Sequence, residues 1–454
     1  DIERLKGLVE KHRARILAAA EEIWKHPETG YREWKTHAYL LSQFEALGYT
    51  PVLAGNIPGF YVDVDTGKPG PKLALLGELD SVICHNHPNA DPETGAVHAC
   101  GHHAQCATLL GLAAALSEPG ALEGLCGSIR LMAVPAEELL ELGYRAQLRE
   151  RGIIRYFGGK VEFIYRGYFD GVDMAAMIHA GGASESQTCL TLGEGNNGCV
   201  VKNITFHGKA AHAGGSPHSG VNALYAATCA INAANALRET FRDEDHVRFH
   251  PIVTEGGLAV NVIPERAKLE SYVRGATFDA MVSYNEKINR AMAGSAATMG
   301  SRLTLSDMPG YFPLKNDLGM NAALGEAMRA VAGPDSVMDT SPWGTGCTDM
   351  GDVAAILPAA HPHASGCIGT GHGSDYFVDD VDKAYILPTQ CLLATAALLL
   401  ENGAERGRKI ISEAKPRFAS KEEYLKAIDA LFAQRDAVEY REDGTIVLNW
   451  TSKP

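Results

Sequence analysis

The densest chemical signal in the chain is the segment Leu76 to His103, LGELDSVICHNHPNADPETGAVHACGHH. Two carboxylates, Glu78 and Asp80, close an apolar run there, and a Cys-Gly-His triplet opens a helical pattern. Cys100 and His102 are two apart, so a loop or first helical turn can direct both side chains to one divalent ion. Thiolate with imidazole suits zinc, and accepts manganese, cobalt or nickel less specifically. A helix N-terminus would also favour the thiolate form of Cys100. A buried cysteine beside a capping histidine explains the triplet alone equally well. Asp80 upstream, with further donors downstream, adds weight to the metal reading.

Those further donors follow other apolar runs. AVPAEELL, from Ala133, carries the adjacent acids Glu137 and Glu138 at the end of a predicted strand. Adjacent acids on such a turn can split roles, one coordinating metal and one free as a general base, although a Glu pair in isolation is a solvated helix start. His179 ends MAAMIH, and His372 stands in the glycine-rich GTGHGSDYF. A lone histidine is more often a structural hydrogen-bonding residue. Donors collected at strand ends nevertheless match the rule that α/β sheets carry their sites outside the carboxyl edge.

The elements that must position these groups follow from periodicity. Apolar residues at three-to-four spacing predict two helices between Ile2 and Leu47, broken at Pro27 to Gly30. Short apolar runs at Lys72–Leu76, Ser128–Val134 and Met174–Ile178 alternate with a helical pattern at Ala104–Leu116, which predicts a layered α/β domain with a mostly parallel sheet. From Asn196 the texture changes. Strands at 199–206, 247–254, 267–274 and 303–306, with helices at 221–238 and 280–299, suit a compact α+β module. We therefore expect an inserted domain over 196–308, interrupting a domain built from 1–195 and 309–454, with a terminal hairpin around Asp443 and Gly444.

With 454 residues, 46% hydrophobic and 21% charged, the chain is long enough for roughly two or three domains with their own cores, and disorder is excluded. Its net charge of −14 lacks the basic stripe that phosphates require, so neither nucleic acid nor an anionic membrane is expected as a partner. The longest apolar stretch, Ile386 to Leu400, carries Pro388 and falls short of a bilayer span. Ten scattered cysteines, with no visible secretory leader at Asp1 to Glu10, lead us to expect reduced thiols and a cytoplasmic location.

The order of motifs carries a resemblance. HPETGYREW (from His26), GELDS (from Gly77), HACGH (from His98), PAEE (from Pro135), IHAG (from Ile178), GKAAHAGGSPHSGVNAL (from Gly208), GLAVNVIPE (from Gly257), YVRG (from Tyr272) and GHGSDYF (from Gly371) belong to a resemblance that runs from about residue 5 to residue 400. Together they resemble the aminoacylase and carboxypeptidase G superfamily of metal-dependent amidohydrolases, metallopeptidase family 20. The Cys-Gly-His version is similar to the branch of hippurate, auxin-conjugate and aminobenzoyl-glutamate hydrolases. That resemblance implies a zinc-peptidase-like catalytic domain with an inserted lid and dimerisation domain. It implies that Cys100, His102, Glu138, His179 and His372 ligate two divalent ions, zinc or manganese with cobalt or nickel as alternatives, and that the Cys100 thiolate bridges them. Glu137 would be the base and Asp80 would orient a ligand. In the inserted domain, His212 would reach the reacting carbonyl across a dimer interface, while Asn261 and Arg274 would hold a substrate carboxylate.

The implied reaction is hydrolysis of the amide of an N-acyl or N-aroyl amino acid, a small substrate with a free carboxylate, by a homodimer joined through its lid domains. A dipeptidase or carboxypeptidase of the same superfamily is the near alternative, and a non-catalytic binding protein on this fold the more distant one. Deaminase or thiol-redox chemistry would want a Cys-x-x-Cys, which the chain lacks. Glu78 stands where other branches place a histidine ligand and is kept as a further ligand candidate. His103 replaces the branch's usual Asp or Asn and either titrates beside the metal or caps a helix, while His85 and His87 are read as loop residues.

Overall fold

The protein is described here from a computed structural model covering residues 1–181, 189–339 and 341–451. It divides into two units, Asp1–Gly195 with Leu314–Trp343 and Asp349–Lys421, and Asn196–Pro313 with Gly344–Thr348 and Glu422–Pro454.

The first unit is an α/β layer structure around a six-stranded sheet. Its order is Val52–Leu53, Phe60–Asp65, Ser128–Val134, Lys72–Glu78, Met174–Ala176, Ala359–Ala360. The last four run parallel to one another, and Phe60–Asp65 pairs antiparallel with both of its neighbours, Val52–Leu53 and Ser128–Val134. Lys72–Glu78 and Ser128–Val134 are buried after their first residue, as expected of strands covered on both faces. Because these central strands are parallel, the residues that follow Glu78, Val134 and Ala176 emerge at one edge of the sheet.

Helices cover this sheet. His102–Leu116 is buried at every position, which explains why HHAQCATLLGLAAAL has no polar face. The N-terminal region forms three helices, Ile2–Glu10, Arg13–Lys25 and Trp34–Ala46, rather than two, with an extra break at Lys11 and His12. The apolar stretch near the C-terminal end begins earlier than expected: a π-helical turn at Asp382–Ile386 runs into the helix Leu387–Leu400. Asp382–Leu400 has the length and composition to cross a membrane, but 78% of it is buried against other parts of the chain. It packs on Leu318–Ala332 and His102–Leu116 as a core helix.

The second unit is an antiparallel sheet with helices on one face. Its strands are ordered Arg248–Phe249, Arg266–Gly275, Gly198–His207, Arg302–Tyr311, Ala433–Asp436, and Ile252–Glu255 also pairs with Arg266–Gly275. Arg266–Gly275 alternates buried and half-buried residues, so that Ala267, Leu269 and Val273 meet Ile288 and Met292 of the helix Phe278–Thr298. The single strand expected over 247–254 is split at His250 and Pro251, because proline has no N–H for the ladder.

The division also differs from the expected boundaries at its C-terminal side. Arg302–Tyr311 continues beyond Asp307, so the second unit runs to Pro313 rather than ending at 308. Residues from Glu422 onward belong to this unit and not to the first, since Ala433–Asp436 extends its sheet and the hairpin Val438–Tyr440 with Ile446–Leu448 contributes Val438 to its core.

Inside that core Lys202 is fully buried, its ammonium hydrogen-bonded to Asn285 at 2.9 Å, to Asn289 and to Asp307. Asn285 and Asn289 also donate to the second Asp307 oxygen at 2.8 and 3.0 Å. Removing one partner of such a pair strands the other charge. Asp307→Ala should therefore cost about 3–5 kcal/mol in urea unfolding, and Lys202→Met combined with Asp307→Leu should recover most of it. Equal stability of Asp307→Ala and the parent would refute this account.

Candidate metal centre

At the carboxyl edge of the first unit's sheet, several separate segments bring their side chains together. Lys72–Glu78 ends at Glu78, and Asp80 lies two residues on, both fully buried. Cys100 and His102 flank Gly101, whose φ of 82° is left-handed. A side chain at position 101 would meet Tyr376 Oη at 2.6 Å and Ala180 Cβ at 2.8 Å, so glycine is required there on both counts. Glu137 and Glu138 follow Ser128–Val134 on an irregular turn, not a helix start: Ala136 has φ 57° and its N–H is bound by buried Glu33 at 2.7 Å. His179 opens a two-residue strand, and His372 sits in its loop at φ 65°, with its N–H on the Ala99 carbonyl at 2.8 Å.

The donor atoms form three overlapping groups, each within 4.8 Å: Cys100, His102 and His179; Cys100, Glu138 and His372; and Glu78, His102 and Glu137. Cys100 Sγ lies 3.6 Å from His179 Nε2 and 3.3 Å from His372 Nε2. His372 Nε2 is 3.2 Å from Glu138 Oε1, and His102 Nε2 is 3.9 Å from Glu137 Oε2. Asp80 steadies two of these donors at once, with Oδ1 3.1 Å from His102 Nδ1 and Oδ2 accepting the Glu138 N–H at 2.7 Å. Its oxygens therefore leave His102 Nε2 pointing into the cluster.

Electrostatics follow from burial and crowding. Burial first, then Glu78 and Glu138, holds the Glu137 carboxyl well above the usual range. Burial opposes ionisation of Glu138 too, but the His372 hydrogen bond outweighs it and brings that carboxyl down to about 2. Burial would lower His102, yet Glu78, Cys100 and Asp80 raise it well above an ordinary imidazole. His179 is held low by burial and by neighbouring His102 and His363. The expected lowering of Cys100 by the helix N-terminus is overturned: burial and Glu138 push its thiol well up. A cation must displace that proton, so metal binding here releases acid.

The residues fit a divalent pair. His102 Nε2 and Glu78 Oε2 are 3.0 Å apart and fully buried, yet neither has a hydrogen-bond partner. Two donors that close, without mutual hydrogen-bond alignment, are arranged for a third atom between them. Thiolate, imidazole and carboxylate together match zinc and its neighbours in softness.

Other histidines fall outside these groups. His103 Nε2 contacts Tyr385 Oη at 3.1 Å and its ring meets Trp24 edge-on, while burial holds it down to about 3. His87 Nε2 bonds the Tyr376 carbonyl at 2.8 Å, and exposed His85 packs on Gly95. His361 and His363, which sequence reasoning missed, place their rings 5.7 and 5.6 Å from that of His179. Their His-Pro-His spelling was the available signal. Lys160 and Asp349 were missed as well.

In the second unit, exposed His212 bridges to Val262, and its Nδ1 accepts from the N–H groups of Gly214 and Gly215 at 3.1 and 2.8 Å. Asn261 is exposed and its carbonyl takes the Ala213 N–H at 2.9 Å. Arg274, half-buried on Arg266–Gly275, donates to the Thr345 carbonyl at 3.5 Å and lies over the Tyr272 ring.

Comparisons with known proteins bear on both units. Residues 195–298 match the description of a peptidase dimerisation domain. The chain is 28% identical to one component of the p-aminobenzoyl-glutamate hydrolase of Escherichia coli over 63% of its own length, and spans only 56% of that relative. It is 27% identical to the mouse Xaa-Arg dipeptidase over 85% of both chains. Among solved structures, a dinuclear metal binding peptidase from the M20 family of Bacillus subtilis aligns with a TM-score of 0.61 and 19% identity, covering 86% of this chain and 99% of that one.

Proposed function

We propose that the chain is a member of the M20 peptidase family, which its match to a peptidase dimerisation domain and its similarity to the aminobenzoyl-glutamate hydrolase component support, and that it hydrolyses the amide bond of N-acyl or N-aroyl amino acids, releasing an amino acid and a carboxylic acid. The observation that carries this reading is the pair of donor triads sharing Cys100, with Glu137 beside them. Cys100, His102 and His179 would hold one ion, and Cys100, Glu138 and His372 the other. Two divalent ions, zinc or manganese, supply Lewis acidity to water and carbonyl when bound.

The chain's own groups do the rest. Glu137 takes the proton of the attacking water and returns it to the leaving amine; its high proton affinity suits the second task and the nearby cations the first. Asp80 keeps His102 and Glu138 in place. Arg274, with its guanidinium fork, and Asn261 are assigned to the substrate carboxylate. His212 of a second copy is assigned to the carbonyl oxygen, which makes the working form a homodimer. His212→Ala should lower kcat by about 100-fold with metal content unchanged, as loss of one oxyanion donor does; kinetics equal to the parent would refute that role. A reducing, cytoplasmic location is proposed from the ten cysteines scattered along the chain.

A dipeptidase is the second reading, supported by similarity to the mouse Xaa-Arg dipeptidase. One screen separates the two. Protein reconstituted with zinc or manganese is incubated with pooled N-acyl amino acids, aryl amides such as aminobenzoyl-glutamate, and dipeptides, and products are read by mass spectrometry with chelator controls. Chelator-sensitive release of an amino acid from the acyl pool is the expected outcome. Cleavage confined to dipeptides transfers the assignment, and no cleavage by two-metal protein removes it.

A further inference from the structure

Behind the donor triads lies a buried charge cluster that the proposed reaction does not use. Lys160, near the start of the helix Gly159–Tyr165, is completely buried, as are Glu78 and Asp349. Its ammonium donates to Glu78 Oε1 and, at 2.6 Å, to Asp349 Oδ1. The other Asp349 oxygen takes the Lys160 backbone N–H at 2.8 Å. This helix is held to the turn that bears Glu137 and Glu138, because Gly159 donates to the Ala136 carbonyl at 3.0 Å. A Cβ at position 159 would lie 1.5 Å from the Pro135 carbonyl oxygen, so the approach needs glycine.

Glu78 has little freedom. Its N–H is bound by Gln105 Oε1 at 3.0 Å and its carbonyl by the Cys106 thiol at 2.9 Å, both on the helix that begins at His102. With Oε1 on Lys160, the remaining oxygen, Oε2, faces His102 Nε2 at 3.0 Å and is one of the buried atoms with no hydrogen-bond partner. That oxygen is thus left to His102, itself one of the ligand candidates, and with His102 and Glu137 it falls in a group of donor atoms within 4.8 Å of one another. One lysine shared by two carboxylates also leaves a net negative charge facing the donors.

We propose that Lys160 and Asp349 are positioning residues that hold Glu78 as an additional metal donor, through Oε2, to the ion taken by His102. The inference rests on the proposed two-ion centre and goes beyond it: the two ions then differ in donor set, the His102 ion having one more carboxylate.

The test is titration of metal-free, full-length protein with cobalt(II), followed by calorimetry and by visible absorption, where coordination number and thiolate ligation both register. The parent should bind two ions. Glu78→Gln, which keeps the shape and leaves Lys160 paired with Asp349, should weaken one binding step about tenfold or more and alter that step's spectrum, with the other step within about twofold. Lys160→Met should affect the same step. Urea unfolding of each variant runs in parallel, because a merely structural role would lower stability without moving the cobalt spectrum. If Lys160→Met does not fold, Glu78→Gln decides alone. Two unaltered binding steps in Glu78→Gln would overturn the inference and leave the metal centre standing. A parent that binds no pair of ions would overturn the metal centre itself.

Discussion

Glu137→Gln is expected to lower turnover by at least about 1,000-fold while the protein still carries two ions per chain, because the amide keeps the shape of the carboxylate but can neither take nor return a proton. Glu137 belongs to neither triad that shares Cys100, and its Oε2 stands 3.9 Å from His102 Nε2. The same substitution should act oppositely on stability. Folding raises the proton affinity of Glu137, through burial first and then Glu78 and Glu138. Such a carboxyl favours the fold below its unfolded pKa of about 4.3 and weakens it as pH rises through the higher folded value. Metal-free Glu137→Gln should therefore melt above the metal-free parent at neutral pH, with the gap closing toward pH 4. Turnover near that of the parent, with metal retained, would remove Glu137 from its role.

Cys100→Ala is expected to be the most damaging change among the donors. Its sulfur lies in both triads, 3.6 Å from His179 and 3.3 Å from His372, so its loss weakens both sites together. Elemental analysis should find metal falling from two ions per chain toward none, with hydrolysis at background. His372→Ala, by contrast, should release one ion. The metal-free Cys100→Ala protein should keep its fold, since the thiol is held protonated and behaves as a small apolar group. A Cys100→Ala protein still holding two ions would show that the sulfur does not bridge.

Three of the six strands of the first unit's sheet were legible, because Lys72–Glu78, Ser128–Val134 and Met174–Ala176 are buried almost throughout and appear as apolar runs. Ser128–Val134 matches its predicted limits, and the donors at strand ends follow from parallel order alone. Glu137 and Glu138 were visible because two acids interrupt such a run at its end. Lys160 and Asp349 were not, because their meaning is a contact made 189 residues apart, and a single lysine in GGKVEF carries no periodic signal. The C-terminal hairpin was readable from its turn, while its membership of the second unit follows from the strand before it, Ala433–Asp436, pairing with Arg302–Tyr311, a long-range choice invisible to local pattern. The direction of the Cys100 shift was misjudged for a similar reason: a helix end is local, but the burial and the Glu138 charge that outweigh it come from the assembled fold.

The order of the donors along the chain sets a timetable for assembly. Cys100, His102 and His179 precede the second unit, whereas His372 follows its main segment, Asn196–Pro313. During synthesis at about 5–20 residues per second, the first triad's residues are complete roughly 10–40 s before His372 is made. The residues proposed for one coordination site thus exist before those of its neighbour are complete. The first unit's core closes later still, because the helix Leu387–Leu400, which packs on His102–Leu116, is made after His372.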